Sequence, residues 1–351
     1  MNNSLDKIRE IIGKFDCDGV IINNNSDIRY LSGLKSSNIS ILVTSDKAFV
    51  LSDGRYKYMI ERQELFTPVC ITKGMCESLI ELITEQKLTK VMIDPSDISH
   101  KNYKNIAEQI NLYDYENILS ELRIIKRDEE ISNIIEAQRI ADRAFTDILD
   151  EISIGMTTKE IAALLDYKMA VYGSEEPAFS TITVNEEESA DCHGVPSEKK
   201  IKSGDLILFD FGATYNGYRS DITRTIAVES ICNEKKDIYD LVLKAHTEAV
   251  MKVKPGVLCS DIDEAARKCF RERNLEEYFI HSLGHGVGLD IHEAPVLSKK
   301  SETVLKKGMI ITIEPGLYFK DKYGIRIEDT YLVTENGCKS LTNIQKNLII
   351  I

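Results

Sequence analysis

LILFDFGATYNGYRSDITRT, residues 206–225, sets one aspartate inside an apolar run and a second one after a turn-rich excursion. Asp210 lies among Leu, Ile and Phe. Asp221 follows ATYNGYRS and opens a second stretch, DITRTIAV. The two apolar stretches have strand character and predict a hairpin that brings both carboxylates to one face. The same arrangement recurs near the end of the chain. Glu314 sits in IITIEPG and Glu328 in IRIED, again separated by a turn. A carboxylate in an apolar strand is costly unless it is paired or bound to a metal. One such acid is explained by a sheet-end cap or a neighbouring base. Four at matching positions in two hairpins would repel one another if they converged, and a pair of divalent cations would neutralise them.

Working outward, each hairpin follows two helical stretches. LRIIKRDEE (122–130) leads into a long helix with Ile131, Ile134, Ile135, Ala141, Phe145, Ile148 and Leu149 at helical spacing. GMTTKEIAALL begins at Gly155 and GVLCSDIDEAA at Gly256, and each opens a further helix. Thr157 and Glu160 have capping-box spacing, and Ser260 is the expected N-cap of the second. The repeat predicts an internal pseudo-twofold, with a site between its halves. The first 122 residues read differently, as strands (DGVIINN, ISILVT, KAFVLSDG, VMIDPSD) alternating with helices such as KGMCESLIELITEQ. This is an α/β domain, and the boundary is placed between residues 122 and 123.

HSLGHGVGLDIHE (281–293) holds three of the six histidines of the 351-residue chain. Imidazoles among glycines fit close approach to a ligand. One neutral imidazole beside four carboxylates suits Mn, Co, Fe or Zn rather than a thiolate structural zinc site. Two such ions roughly 3.5–4 Å apart would activate a shared water at neutral pH, which is hydrolase chemistry. HEAPV at 292–296 lacks the second histidine of a zinc HExxH motif, GHGVG is not a dinucleotide fingerprint, and there is no P-loop and no GxSxG.

The bulk numbers narrow the partners. A net charge of −13 argues against nucleic acid or an anionic membrane surface. The N-terminal stretch MNNSLDKIREIIGKF has no apolar core of a secretory signal, and no apolar run reaches membrane-spanning length. The eight cysteines, without a CxxC pair, read as reduced and mostly buried thiols of a cytoplasmic protein.

DFGATYNGYRSDITRT, HSLGHGVGLDIHEAP, IEPGLY and GIRIEDT together resemble the pita-bread metallopeptidases, with the Xaa-Pro peptidases (aminopeptidase P and prolidase) nearest in kind. IRYLSG and LSDGRY resemble the creatinase-type N-terminal domain. The resemblance covers almost the whole chain. It implies an α+β fold with a pita-bread catalytic domain over 123–351 and a smaller creatinase-type α/β domain over 1–122. It makes Asp210, Asp221, His285, Glu314 and Glu328 the ligands of two divalent metals, with Mn as first choice. His193 matches a substrate-binding histidine, and His292 one that contacts substrate or the tetrahedral intermediate. His281 is expected behind the metal ligands or at the substrate-pocket wall, with a packing role as the alternative. Glu314 would also shuttle a proton to the leaving nitrogen, and Arg326 would bind at the substrate side or orient the acids. The implied reaction is hydrolysis of the Xaa-Pro bond at a peptide N-terminus, in a homodimer.

Some prolidases carry an arginine just after the HExP tetrad, where this chain has Val296. That departure puts an aminopeptidase P-like activity first and an Xaa-Pro dipeptidase second. Methionine aminopeptidase would account for only the second domain, and creatinase lacks the metal ligands. A non-enzymatic binding protein on the same fold would have lost ligands or histidines, and this sequence keeps them all.

Overall fold

The computed structural model describes residues 2–351 and forms two units, Met1–Arg123 and Ile124–Ile351. The first unit is built on a six-stranded mixed sheet. Its central strand, Gly19–Ile22, pairs antiparallel with Ile39–Thr44 and parallel with Lys90–Ile93. The turn at residues 45–47 joins Ile39–Thr44 to Ala48–Asp53, as the sequence predicts. IRYLSG closes the helix Asn25–Ser32, and Gly33 caps its end at φ 72°.

In the second unit each half stacks a helix pair on a sheet. Helices Asp128–Leu149 and Thr158–Val171 bury Ile140, Phe145, Ile148 and Leu165 against Phe209, Phe211, Ile222 and Ile226 of the antiparallel pair Leu206–Phe211 and Ile222–Ala227. Helices Asn233–Val250 and Cys259–Arg271 bury Val242, Ala245, Ile262 and Phe270 against Ile311, Ile313 and Tyr331, where Ile310–Ile313 pairs with Asp329–Val333. The second half thus repeats the helix pair and antiparallel strand pair of the first, as the sequence repeat predicts.

Local signals are realised unevenly. The Thr157–Glu160 capping box forms in both directions. Ser260 is not the N-cap: the helix starts at Cys259 after Leu258, with no side-chain cap. The chain enters by a bridge from Leu258 to Val304, so tertiary pairing sets the start. Ile135 faces solvent at 38% exposure, on the outer side of an amphipathic helix. All eight cysteines are free thiols, but only Cys17, Cys259 and Cys269 are buried. No helix among the described residues is long and apolar enough to cross a membrane.

His246, on Asn233–Val250, is 1% exposed, and neither ring nitrogen has a hydrogen-bond partner among the described residues. Burial lowers its pKa to about 4. An unfolded histidine takes up its proton near 6.5, so between about pH 6.5 and 4 the unfolded chain binds more protons than the native one. The contribution is therefore lost as pH falls through that window. We expect His246 to cost about 2 kcal/mol of stability at pH 5 relative to pH 7. His246→Leu should remove that part of the slope. Paired urea titrations at the two pH values check this, and an unchanged slope in the variant would clear His246 of the effect.

Candidate metal centre

The Asp210 strand explains its own polarity. Phe209 and Phe211 point into the helix-covered core, so Asp210 points to the other face, opposite Thr223 in the ladder. Asp221 lies two residues before Thr223, one position outside its strand. The second half repeats this. Thr312 is opposite Thr330; Glu314 follows the former by two, and Glu328 precedes the latter by two. Glu314 and Glu328 were expected within strands; Glu314 falls just past the end of its strand, where Pro315 has no N–H to continue a ladder, and Glu328 one residue before the start of its own.

The two faces meet. Glu328 donates its backbone N–H to the Thr223 carbonyl at 3.1 Å, and its Oε2 accepts from Thr223 Oγ1 at 2.7 Å. Thr330 Oγ1 donates to the Asp221 carbonyl at 2.8 Å. Asp221, His285 and Glu328 each offer a ligand atom within 4.8 Å of the others. His285 Nε2 lies 3.5 Å from Asp221 Oδ2 and 3.4 Å from Glu314 Oε1. Asp210 joins the set through Arg326, whose Nη2 donates to Asp210 Oδ2 at 2.6 Å.

The electrostatics favour a cation here. Burial, and then repulsion from the other acids, drives Asp221 and Glu314 far above the usual carboxylate range and pushes Glu328 up to about 8. Asp210 is raised by burial and lowered again by Arg326, His193 and His292. His285 Nδ1 donates to the Gly286 carbonyl at 3.0 Å, which leaves Nε2 as a bare lone pair. Burial lowers this imidazole to about 4, so at neutral pH the lone pair faces two carboxylates. Asp210 Oδ1 and Glu328 Oε1 are buried and accept no hydrogen bond from the described residues. Unpaired acceptors converging with a neutral nitrogen fit divalent cations and fit little else.

The other expected site residues divide into two groups. His193 and His292 are solvent-exposed at the mouth, and the His292 ring packs edge-on against His285 with centroids 4.4 Å apart. His281 and Arg326 face inward. Arg326 is 3% exposed, and besides Asp210 it donates to Tyr318 OH at 2.7 Å and Thr223 Oγ1 at 2.9 Å. Tyr318 in turn donates to His281 Nε2 at 2.9 Å, and His281 Nδ1 donates to the Ser282 carbonyl at 2.8 Å. Both nitrogens of His281 and all three guanidinium nitrogens of Arg326 are thus engaged within the protein. These bonds link His281 through Tyr318 to Arg326 and so to Asp210. Thr223, Thr312 and Tyr318 were not singled out from the sequence. The one signal was alternation, and for the threonines alone: Thr223 and Thr312 stand two residues from an acid on the same face.

Gly284 sets the depth of His285. A Cβ there would sit 2.1 Å from the Thr312 carbonyl oxygen, on the neighbouring strand. Gly284→Ala must push the strands apart, break the His285 N–H to Thr312 Oγ1 bond of 3.1 Å, and move the imidazole. We expect a loss of about 3 kcal/mol, as for an overpacked core, and weakened metal binding, read by thermal melts with and without added Mn.

Residues 132–335 match the model of metallopeptidase family M24, and residues 5–125 that of the creatinase/prolidase N-terminal domain. The chain belongs to metallopeptidase family M24. The M24 chain is 39% identical over 352 residues to the Xaa-Pro dipeptidase of Pyrococcus furiosus, covering 99% of this chain and 100% of that protein. Among solved structures, the Xaa-Pro dipeptidase from Bacillus anthracis superposes with a TM-score of 0.97 at 34% identity, covering 99% of each chain. The X-Pro aminopeptidase from Thermotoga maritima follows at 0.91 and 32%, covering 98% of this chain and 100% of that one. This M24 peptidase is thus an enzyme of the hydrolase class, and its family implies divalent metal.

Proposed function

We propose that this M24 peptidase is an Xaa-Pro dipeptidase, with N-terminal Xaa-Pro cleavage of longer peptides as the second reading. The observation that carries the metal-dependent reaction is the neutral His285 nitrogen within 3.5 Å of the Asp221 and Glu314 carboxylates, in a group whose buried Asp210 and Glu328 oxygens accept no hydrogen bond from the described residues. The order of the two readings reverses the one drawn from Val296. Relatives alike over their full length are named dipeptidases. Val296 itself is 49% exposed on the strand after His292.

Asp210, Asp221, His285, Glu314 and Glu328 would hold two cations, Mn first and Co, Zn or Fe with the same donor preference. When bound, such ions supply Lewis-acid polarisation of the scissile carbonyl and activation of water. His292 would donate a hydrogen bond to the charge that develops on the carbonyl oxygen. Glu314, hydrogen-bonded by Thr312 Oγ1 at 3.4 Å, would pass a proton to the proline nitrogen as it leaves. His193 would meet the substrate from the other half. Arg326 would keep Asp210 ionised and oriented. Proline supplies the reason for a dedicated enzyme, because its tertiary amide lacks an N–H and has a fixed φ. A cytoplasmic homodimer is part of the same reading.

The test is hydrolysis of Gly-Pro and Arg-Pro-Pro by metal-stripped protein reloaded with Mn. Cleavage of Gly-Pro in preference supports the dipeptidase. Preference for Arg-Pro-Pro selects the aminopeptidase. Neither cleaved, with metal bound, overturns proline specificity.

A further inference from the structure

The turn that carries His292 is anchored by a buried ion pair. Lys126 Nζ lies 3.0 Å from Glu293 Oε2, with the two side chains only 1% and 7% exposed. The other carboxylate oxygen, Oε1, accepts the backbone N–H of Asp290 at 3.0 Å. One carboxylate thus ties the start of the turn at residue 290 to its end at 293. The backbone is pressed onto the same group: a Cβ at Gly288 would lie 2.5 Å from Glu293 Oε2. Lys126 is itself held, since its backbone N–H donates to the Gly308 carbonyl at 2.9 Å. His292 precedes Glu293 directly, is exposed, and rests its ring against His285.

A carboxylate this deep is stable only with its counter-charge, so the pair holds the turn in a single arrangement. We propose that Lys126 is a positioning residue for His292, acting through Glu293 to hold that imidazole over the metal centre. The inference rests on the reading of His292 as a donor to the substrate. The pair lies 167 residues apart in sequence, on the lead-in to the first catalytic helix and on the histidine turn.

The test is a double-mutant cycle on the metal-loaded enzyme with Gly-Pro: Lys126→Met, His292→Ala and the two combined, with metal content and thermal melts recorded for each. Lys126→Met should lower kcat about ten- to a hundredfold, the scale of a small misplacement of a catalytic group. KM and bound metal should be nearly unchanged. In the His292→Ala background Lys126→Met should have no further effect on kcat. Multiplicative losses in the double variant would overturn the proposal, leaving Lys126 a structural residue. Unimpaired His292→Ala would instead overturn the role of His292, and the proposal with it. Should Lys126→Met not fold, Lys126→Arg keeps the charge but shifts the contact. Its smaller kcat loss should likewise vanish without His292, and persistence of that loss would count against the proposal.

Discussion

Glu328→Gln is expected to cut turnover at least a thousandfold and, in metal-free protein, to raise stability. The two effects have one cause. Glu328 is 1% exposed, with Oε2 bonded to Thr223 and Oε1 without a hydrogen-bond partner among the described residues. Burial and the charge of Asp210 oppose its ionisation. A glutamine keeps the shape, retains an oxygen for Thr223, and sets an N–H₂ where an orphan oxygen faced other carboxylates. Metal-free protein should gain about 1–3 kcal/mol, the scale of relieving an unsatisfied buried group. The cost is a lost anionic ligand, and with it most of the metal-linked stabilisation, which is about 4 kcal/mol when free metal stands a thousandfold above Kd. Thermal melts with and without chelator, alongside metal analysis, separate the two. Wild type should lose stability on chelation and the variant should hardly respond. Equal sensitivity to chelator in both would show that Glu328 is not a ligand.

Arg326→Met should cost about 3–5 kcal/mol, the price of breaking a buried charge pair from one side. It should also reduce turnover by two orders of magnitude or more. The guanidinium donates at once to Asp210, Tyr318 and Thr223, so its loss frees a carboxylate, a phenol and the threonine that supports Glu328. Arg326→Lys should restore little, because one ammonium on a flexible stem cannot reproduce a planar fork with three fixed acceptors. Urea titrations and kcat for both variants decide the matter. Full activity in the lysine variant would mean that charge alone is needed and that the fork geometry is incidental.

Much of this protein was legible locally. Side-chain alternation turned Asp210 away from Phe209 and Phe211, and the same rule assigned Glu314 and Glu328 to one face. Caps act over three residues, so Thr157–Glu160 could be read directly. The repetition of helix pair and hairpin marks the two halves in the sequence itself. The tertiary structure decided what spans those halves. Only the meeting of Thr223 with Glu328, and of Arg326 with Asp210, puts the acids close enough to need cations. Only the packed fold reveals that His281 is spent on Tyr318, whereas His292, in the same thirteen-residue stretch, stands open to solvent. Ser260 lost its capping role to a strand contact from Val304, and Lys126 found Glu293 across most of the catalytic unit. Periodicity and capping are short-range and written in neighbouring residues. Ionisation, metal affinity and the aim of a side chain depend on burial and on charges brought from distant positions, which no local stretch contains.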